Sequence, residues 1–157
     1  MGVAVRGGLE SLIHTTRQIV EEIQAQEEEG DDMMILRVDL VNAFNMVDRD
    51  EAFREVAEHF PEMLSWVLSC YKNQDVLMFG SVVIYSETGF HQGDPLASLL
   101  LSLTLMPIIR IIVQRPPNIC VNGWYLDDGG IIGKREELQE GVDIIRIMGS
   151  SISDTQW

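Results

Sequence analysis

The sequence predicts an α+β fold: an antiparallel sheet with helices packed on one face. Three observations predict it. The apolar residues fall into short runs of strand length and longer runs of helical period. Their order is strand, helices, hairpin, helix, hairpin, helix, without the regular strand–helix alternation of a parallel sheet. A hydrophobic fraction of 46% in 157 residues is enough for one core and argues against disorder.

Leu9, Leu12, Ile13, Thr16, Val20 and Ile23 recur at helical spacing, which predicts an amphipathic helix over 9–28 that Gly30 ends. The apolar run 33–38 reads as a buried strand, with Asp39 at its end. Asp48 is placed to cap a helix over 49–59, with Ala52, Phe53, Val56, Ala57 and Phe60 facing inward. Pro61 opens a further short helix carrying Leu64, Trp66, Val67 and Leu68. Segments 76–79 and 82–85 read as a hairpin turning through Gly80-Ser81.

Asp94 and Pro95 are an N-cap and first-turn pair for a long apolar helix reaching about residue 114, which Pro116-Pro117 stops. Segments 121–126 and 131–133 read as a second hairpin around Asp127-Asp128-Gly129-Gly130. A last helix is expected over 136–148, followed by a polar, frayed tail over 149–157.

Composition narrows the function. The net charge of −14 has the wrong sign for gripping a phosphate backbone. Half of it is local: Glu21, Glu22, Glu27, Glu28, Glu29, Asp31 and Asp32 form one run without Lys or Arg, the pattern of a solvated helix end and loop. Cys70 and Cys120 make neither a disulfide framework nor a zinc site, and His14, His59 and His91 lack metal-ligand spacing. There is no signal-peptide pattern, and Arg6 spoils a myristoylation motif at Gly2. The apolar run 96–109 is shorter than a membrane span. The expectation is an intracellular, soluble protein with no membrane partner, with nucleus and cytoplasm both open.

The chemistry-bearing residues are Asp39 and the adjacent Asp127 and Asp128. Carboxylates at strand ends and hairpin tips are what a two-metal phosphoryl-transfer site requires, because hard divalent ions take oxygen ligands. Neighbouring residues of a strand point to opposite faces, so both aspartates serve one site only if the turn begins between them, which Gly129-Gly130 permits. Asp127, nearer the first strand, is expected to be the firmer ligand. Taken singly, Asp-Asp-Gly-Gly is turn chemistry, Asp94-Pro95 a helix start and Phe44 a core ring.

Three motifs in order say more: Arg37-Val38-Asp39-Leu40-Val41-Asn42-Ala43-Phe44-Asn45, then Gln92-Gly93-Asp94-Pro95-Leu96, then Tyr125-Leu126-Asp127-Asp128. From about Gly7 to Gly149 the chain resembles the palm of a reverse transcriptase, an RNA-directed DNA polymerase, and most of all those of non-LTR retrotransposons. The resemblance implies a polymerase palm with a ferredoxin-like core over 31–149, a portion of the fingers over 1–30, and a disordered tail over 150–157. It implies a nucleotidyltransferase that adds deoxynucleotides from deoxynucleoside triphosphates to a DNA primer on an RNA template. Asp39, Asp127 and Asp128 would be catalytic and would hold two Mg²⁺ ions, or Mn²⁺ in their place, with the Leu40 carbonyl as a further ligand. Phe44, five residues after Asp39, would be the steric gate against a 2′-hydroxyl, Gln92 and Gly93 would lie under the incoming base pair, and Tyr125 would flank the primer end.

The chain carries only two lysines, Lys72 and Lys134, with nine arginines, and the resemblance implies that the final lysine-bearing strand of the palm and the thumb are missing from it. The expectation is a truncated palm from a retroelement protein, needing fingers and thumb for tight nucleic-acid binding. Two alternatives stay open: an inactive remnant or acidic interaction domain, and a two-metal nucleotide cyclase-like enzyme.

Overall fold

The structure, a computed structural model, describes residues 6–25, 32–114 and 119–152, with side chains to 149. The helix stop at Gly30, acidic residues 27–31, Pro116-Pro117, Gly2 and the end of the tail lie outside the described residues. In chain order the elements are α1 (Gly8–Ala25), β1 (Met33–Asp39), α2 (Ala43–Met46), α3 (Arg49–His59), a 3₁₀ turn (Pro61–Met63) and α4 (Leu64–Tyr71). They continue with β2 (Asp75–Phe79), β3 (Val82–Ser86), α5 (Pro95–Gln114), β4 (Val121–Tyr125), β5 (Asp128–Lys134) and α6 (Arg135–Ile152). The fold is α+β with antiparallel sheets, as the sequence predicts.

The chain divides into two compact units. The first, Met1–Val41 with Pro107–Met148, holds a three-stranded sheet in the order β1-β5-β4. Its centre is β5, where Ile131 and Ile132 are fully buried. Trp124 of β4 is buried beside them and donates from Nε1 to Asn122 Oδ1 at 2.6 Å, while Asn122 Nδ2 reaches the Ile109 carbonyl of α5 at 3.2 Å. On the other side of β4, Leu12 of α1 sits over Gly123, so close that a Cβ there would lie 2.2 Å from its Cδ1. The Arg135 guanidinium grips the Asp32 carboxylate at 2.6 and 3.4 Å, and the Arg135 backbone N–H donates to the Asp32 carbonyl at 3.1 Å. The start of α6 is thereby tied to the residue before β1.

In the second unit, centred on Asn42–Met106, α3 packs on α4, Tyr71 of α4 meets Phe90, and Ala52 and Val56 of α3, Val67 of α4 and most of the first half of α5 are buried. Asp48 caps α3 by accepting the Asp50 N–H at 2.8 Å, and Asp94 caps α5 by accepting that of Leu96 at 2.9 Å. The β2–β3 hairpin turns through Gly80-Ser81, with Gly80 in the left-handed region at φ 62°. Among the described residues it pairs with no other strand, and all eight of its apolar residues are exposed.

Several expectations are corrected. β1 has no buried residue, because it is an edge strand with β5 as its single partner. Ala57 and Phe60 face solvent, because α3 buries only one narrow stripe. Residues 149–152 continue α6. Helix α5 is 20 residues long with a mean hydropathy of 2.2, so length and composition alone would let it cross a membrane; 56% of it is buried in the fold, as in a core helix.

Candidate active site

The three aspartates all belong to the first unit, and strand register sets two of them, Asp39 and Asp128, opposite each other. β1 and β5 pair antiparallel so that Asp39 lies opposite Asp128, and β4 and β5 pair so that Tyr125 lies opposite the same residue. Directly paired residues project to one face, with Cβ atoms about 5 Å apart. Asp39, Asp128 and Tyr125 therefore form one row across three strands, at the end where all three carry exposed side chains.

The turn between β4 and β5 is tighter than expected. It consists of Leu126 and Asp127 alone, and Asp128, Gly129 and Gly130 belong to β5. The turn therefore ends between the two aspartates instead of beginning there: Asp127 is the turn residue and Asp128 the first residue of β5, the reverse of the expected arrangement. Leu126 supplies the reversal with a positive φ of 55°, a strained value for a residue with a branched side chain. The glycines have a different task from turning. A Cβ on Gly129 would lie 2.8 Å from the Trp124 ring, so its absence lets the indole cross β5. The Leu40 N–H donates to the Asp127 carbonyl at 3.3 Å, tying the turn to the end of β1. Leu40 is buried, Asp127 half-buried, and Asp39 and Asp128 exposed.

A cavity of about 590 Å³ opens beside this row, with Arg17 and Thr16 of α1 on one side and Arg37, Tyr125 and Asp128 on the other. Arg37 is two residues before Asp39 and so projects to the same face. Among the described residues it has no ion-pair partner, whereas Arg17 is held by Glu21 at 2.9 Å. Sequence reasoning missed Arg37; its signal was the two-residue spacing from Asp39. Another cavity, of about 530 Å³ between the start of α1 and β4, contains none of the aspartates.

Among the described residues no three Asp, Glu, His or Cys side chains are grouped so that they could hold a metal ion between them. The donor set still suits Mg²⁺ in kind. That ion keeps several waters and is held by one or two carboxylates together with substrate phosphates, and seldom by an all-protein cage. A facing carboxylate pair with a third carboxylate one residue away, open to solvent, has that character.

Phe44, Gln92 and Gly93 belong to the second unit. Phe44 is half-buried on the single-turn helix α2, which follows Asn42 in the left-handed conformation at φ 57°. Gln92 and Gly93 are exposed in the turn before α5. Gly93 has φ 93°, and a Cβ there would meet nothing within 4 Å. Its backbone conformation and the open space above it both suit close approach by a ligand. His91 lies 3.5 Å from the Asp75 carboxylate.

Residues 9–153 match the family profile described as reverse transcriptase (RNA-dependent DNA polymerase). No curated protein matches the chain.

Proposed function

This chain belongs to the reverse transcriptase (RNA-dependent DNA polymerase) family, and on that premise we propose a two-metal nucleotidyl transfer centred on Asp39, Asp127 and Asp128. The family implies a nucleotidyltransferase working on a nucleic-acid template and primer with nucleotide substrates, and divalent metal ions as its general cofactor. The finer reading is Mg²⁺, two ions, with Mn²⁺ as a substitute, and a polymerase of the non-LTR retrotransposon kind. The observation that carries it is the register pairing Asp39 with Asp128, with Asp127 at the adjoining turn.

Asp39, Asp127 and Asp128 would hold the ions, joined by the Leu40 carbonyl. When bound, such a pair neutralises charge on the attacking and leaving oxygens of an in-line displacement. The chain's own groups do the rest. The Leu40 N–H fixes the Asp127 turn against β1. Tyr125, in the same row, offers an aromatic face to the primer end. Arg37, with no ion-pair partner among the described residues, offers a planar guanidinium to phosphate oxygens beside the row. In the second unit, Phe44 would meet the sugar and exclude a 2′-hydroxyl, and the Gln92-Gly93 turn would lie against the base pair. In domain terms, 31–149 would be palm and 1–30 part of the fingers.

Primer extension tests this reading, with an RNA template, a DNA primer, deoxynucleoside triphosphates and Mg²⁺. Template-directed addition should occur with the unaltered chain and fall by at least about a hundredfold in Asp39→Asn. Equal incorporation by Asp39→Asn would remove this row from the chemistry.

A further inference from the structure

The Gln92-Gly93 turn is held by a side-chain network that the proposed mechanism leaves unused. Arg49, the first residue of α3, is 7% exposed and carries its charge into the second unit's interior. Its Nε donates to the Gly89 carbonyl at 2.7 Å, Nη1 to the Tyr71 carbonyl at 3.2 Å, and Nη2 to Ser86 Oγ at 3.0 Å. Nη1 and Nη2 also reach the Asn73 and Thr88 carbonyls at 3.5 and 3.4 Å. The guanidinium carbon lies 5.6 Å from the Tyr71 ring centroid. No carboxylate pairs with Arg49 among the described residues. A buried charge is costly unless its donors are satisfied, and a rigid fork of five N–H groups is the side chain that satisfies several backbone segments at once.

Tyr71 extends the network. Its ring is 2% exposed and meets Phe90 edge-on at 5.0 Å. Its hydroxyl donates to Asp94 Oδ2, while Asp94 Oδ1 caps α5. The Asp94 N–H donates to the His91 carbonyl at 3.2 Å, closing the turn that contains Gln92 and Gly93. At its other end the same loop is stitched to the helix that carries Phe44. The Phe90 N–H donates to the Phe44 carbonyl at 2.5 Å, the Gly89 N–H to that of Val47 at 3.0 Å, and Thr88 Oγ1 to that of Asn45 at 3.0 Å. Gly89 has φ 65°, and a Cβ there would stand 2.4 Å from the Asn45 backbone, so the two segments touch main chain to main chain.

We infer that Arg49 and Tyr71 are positioning residues that lock the Phe44 helix and the Gln92-Gly93 turn into one rigid piece, and thereby set the selection of deoxynucleotides over ribonucleotides. The inference rests on the reading of Phe44, Gln92 and Gly93 as nucleotide-contacting. A gate discriminates only if the loop against the base is held at a fixed distance from it; discrimination built on position is lost to shifts of about 1 Å.

Tyr71→Phe keeps the ring against Phe90 and removes the hydroxyl's links to the loop, to the Asp94 carboxylate and to the His91 backbone. Val67→Ala, buried in α4 and outside the network, serves as a destabilised control. Amide hydrogen exchange should rise at least tenfold in Tyr71→Phe at Phe90, at Leu96 and at Val47 of the Phe44 segment, beyond any change in Val67→Ala. In titrations of the full chain with Mg²⁺ and either dATP or ATP, Tyr71→Phe should lower the affinity ratio of dATP to ATP at least threefold, and Val67→Ala should leave it unchanged. Exchange at Val47 equal to that of the control overturns the coupling. Coupled exchange with an unchanged ratio overturns the role in selection. If the unaltered chain binds neither triphosphate, the nucleotide reading of Phe44 and Gln92-Gly93 fails, and with it the role in selection, while the exchange data still decide the coupling.

Discussion

Replacing Asp128 by Asn should stabilise the metal-free protein, although the residue is proposed to be catalytic. Register sets Asp39 and Asp128 directly opposite each other, both exposed. Like charges facing each other across a strand pair repel. Taking the roughly 5 Å Cβ separation of directly paired residues as the scale, Coulomb's law in water gives about 0.8 kcal/mol, and the protein surface on one side raises it somewhat. The separation is shorter than the Debye length of about 8 Å at physiological salt, so much of the repulsion survives screening. Asn keeps the size and hydrogen-bonding capacity of Asp without the charge. The expected gain is about 1 kcal/mol, or about 2–4 °C in melting temperature for a chain of this length. Thermal melts followed by circular dichroism, in chelator and in Mg²⁺, provide the assay. Unaltered protein should gain stability with Mg²⁺, because a bound cation relieves the same repulsion, and Asp128→Asn should gain much less. A variant that melts below the parent in chelator, or one that responds equally to Mg²⁺, would refute the facing-carboxylate arrangement.

Three other outcomes follow from the packing. Gly89→Ala combines a left-handed backbone with a Cβ 2.4 Å from the Asn45 main chain, so denaturant titration should show a loss of about 3 kcal/mol or more. Gly129→Ala should cost about 1–3 kcal/mol and alter the near-ultraviolet dichroism of Trp124, which cannot yield easily because its indole N–H is tied to Asn122. Burial, reinforced by the hydrogen bond to Asp94, raises the Tyr71 phenol well above its ordinary value of 10.0. The unfolded chain ionises first, so this contribution is complete below pH 10 and is lost as pH rises toward the folded value. Stability should then fall by up to about 1.4 kcal/mol per pH unit more in the parent than in Tyr71→Phe, read from denaturant titrations across that range.

Local chemistry was legible in the sequence. Asp48 and Asp94-Pro95 mark their helix starts because capping is decided within a few residues, and Gly80 marks its hairpin because the turn needs a positive φ. The strand end at Asp39 was read correctly for the same reason. Long-range placement was not legible. Asp-Asp-Gly-Gly reads as a turn by composition, yet the need for Gly129 comes from Trp124 on the neighbouring strand. The burial of β1 was overestimated because an apolar run looks alike at the edge and in the centre of a sheet. Arg49 gave no signal, since each of its acceptors is at least 22 residues away in sequence. The aspartates could be nominated from the motifs, but the row they form with Tyr125 is a property of register alone.

The most direct test of that row is paramagnetic relaxation by Mn²⁺ in an isotope-labelled sample of the full chain. At substoichiometric Mn²⁺, the amide signals of Asp39, Leu40, Asp127 and Asp128 should broaden first, and Asp127→Asn should weaken the effect at all four. Broadening centred instead on the acidic stretch around Glu27–Asp31, with the four signals untouched, would contradict the assignment of these carboxylates as the metal-binding centre.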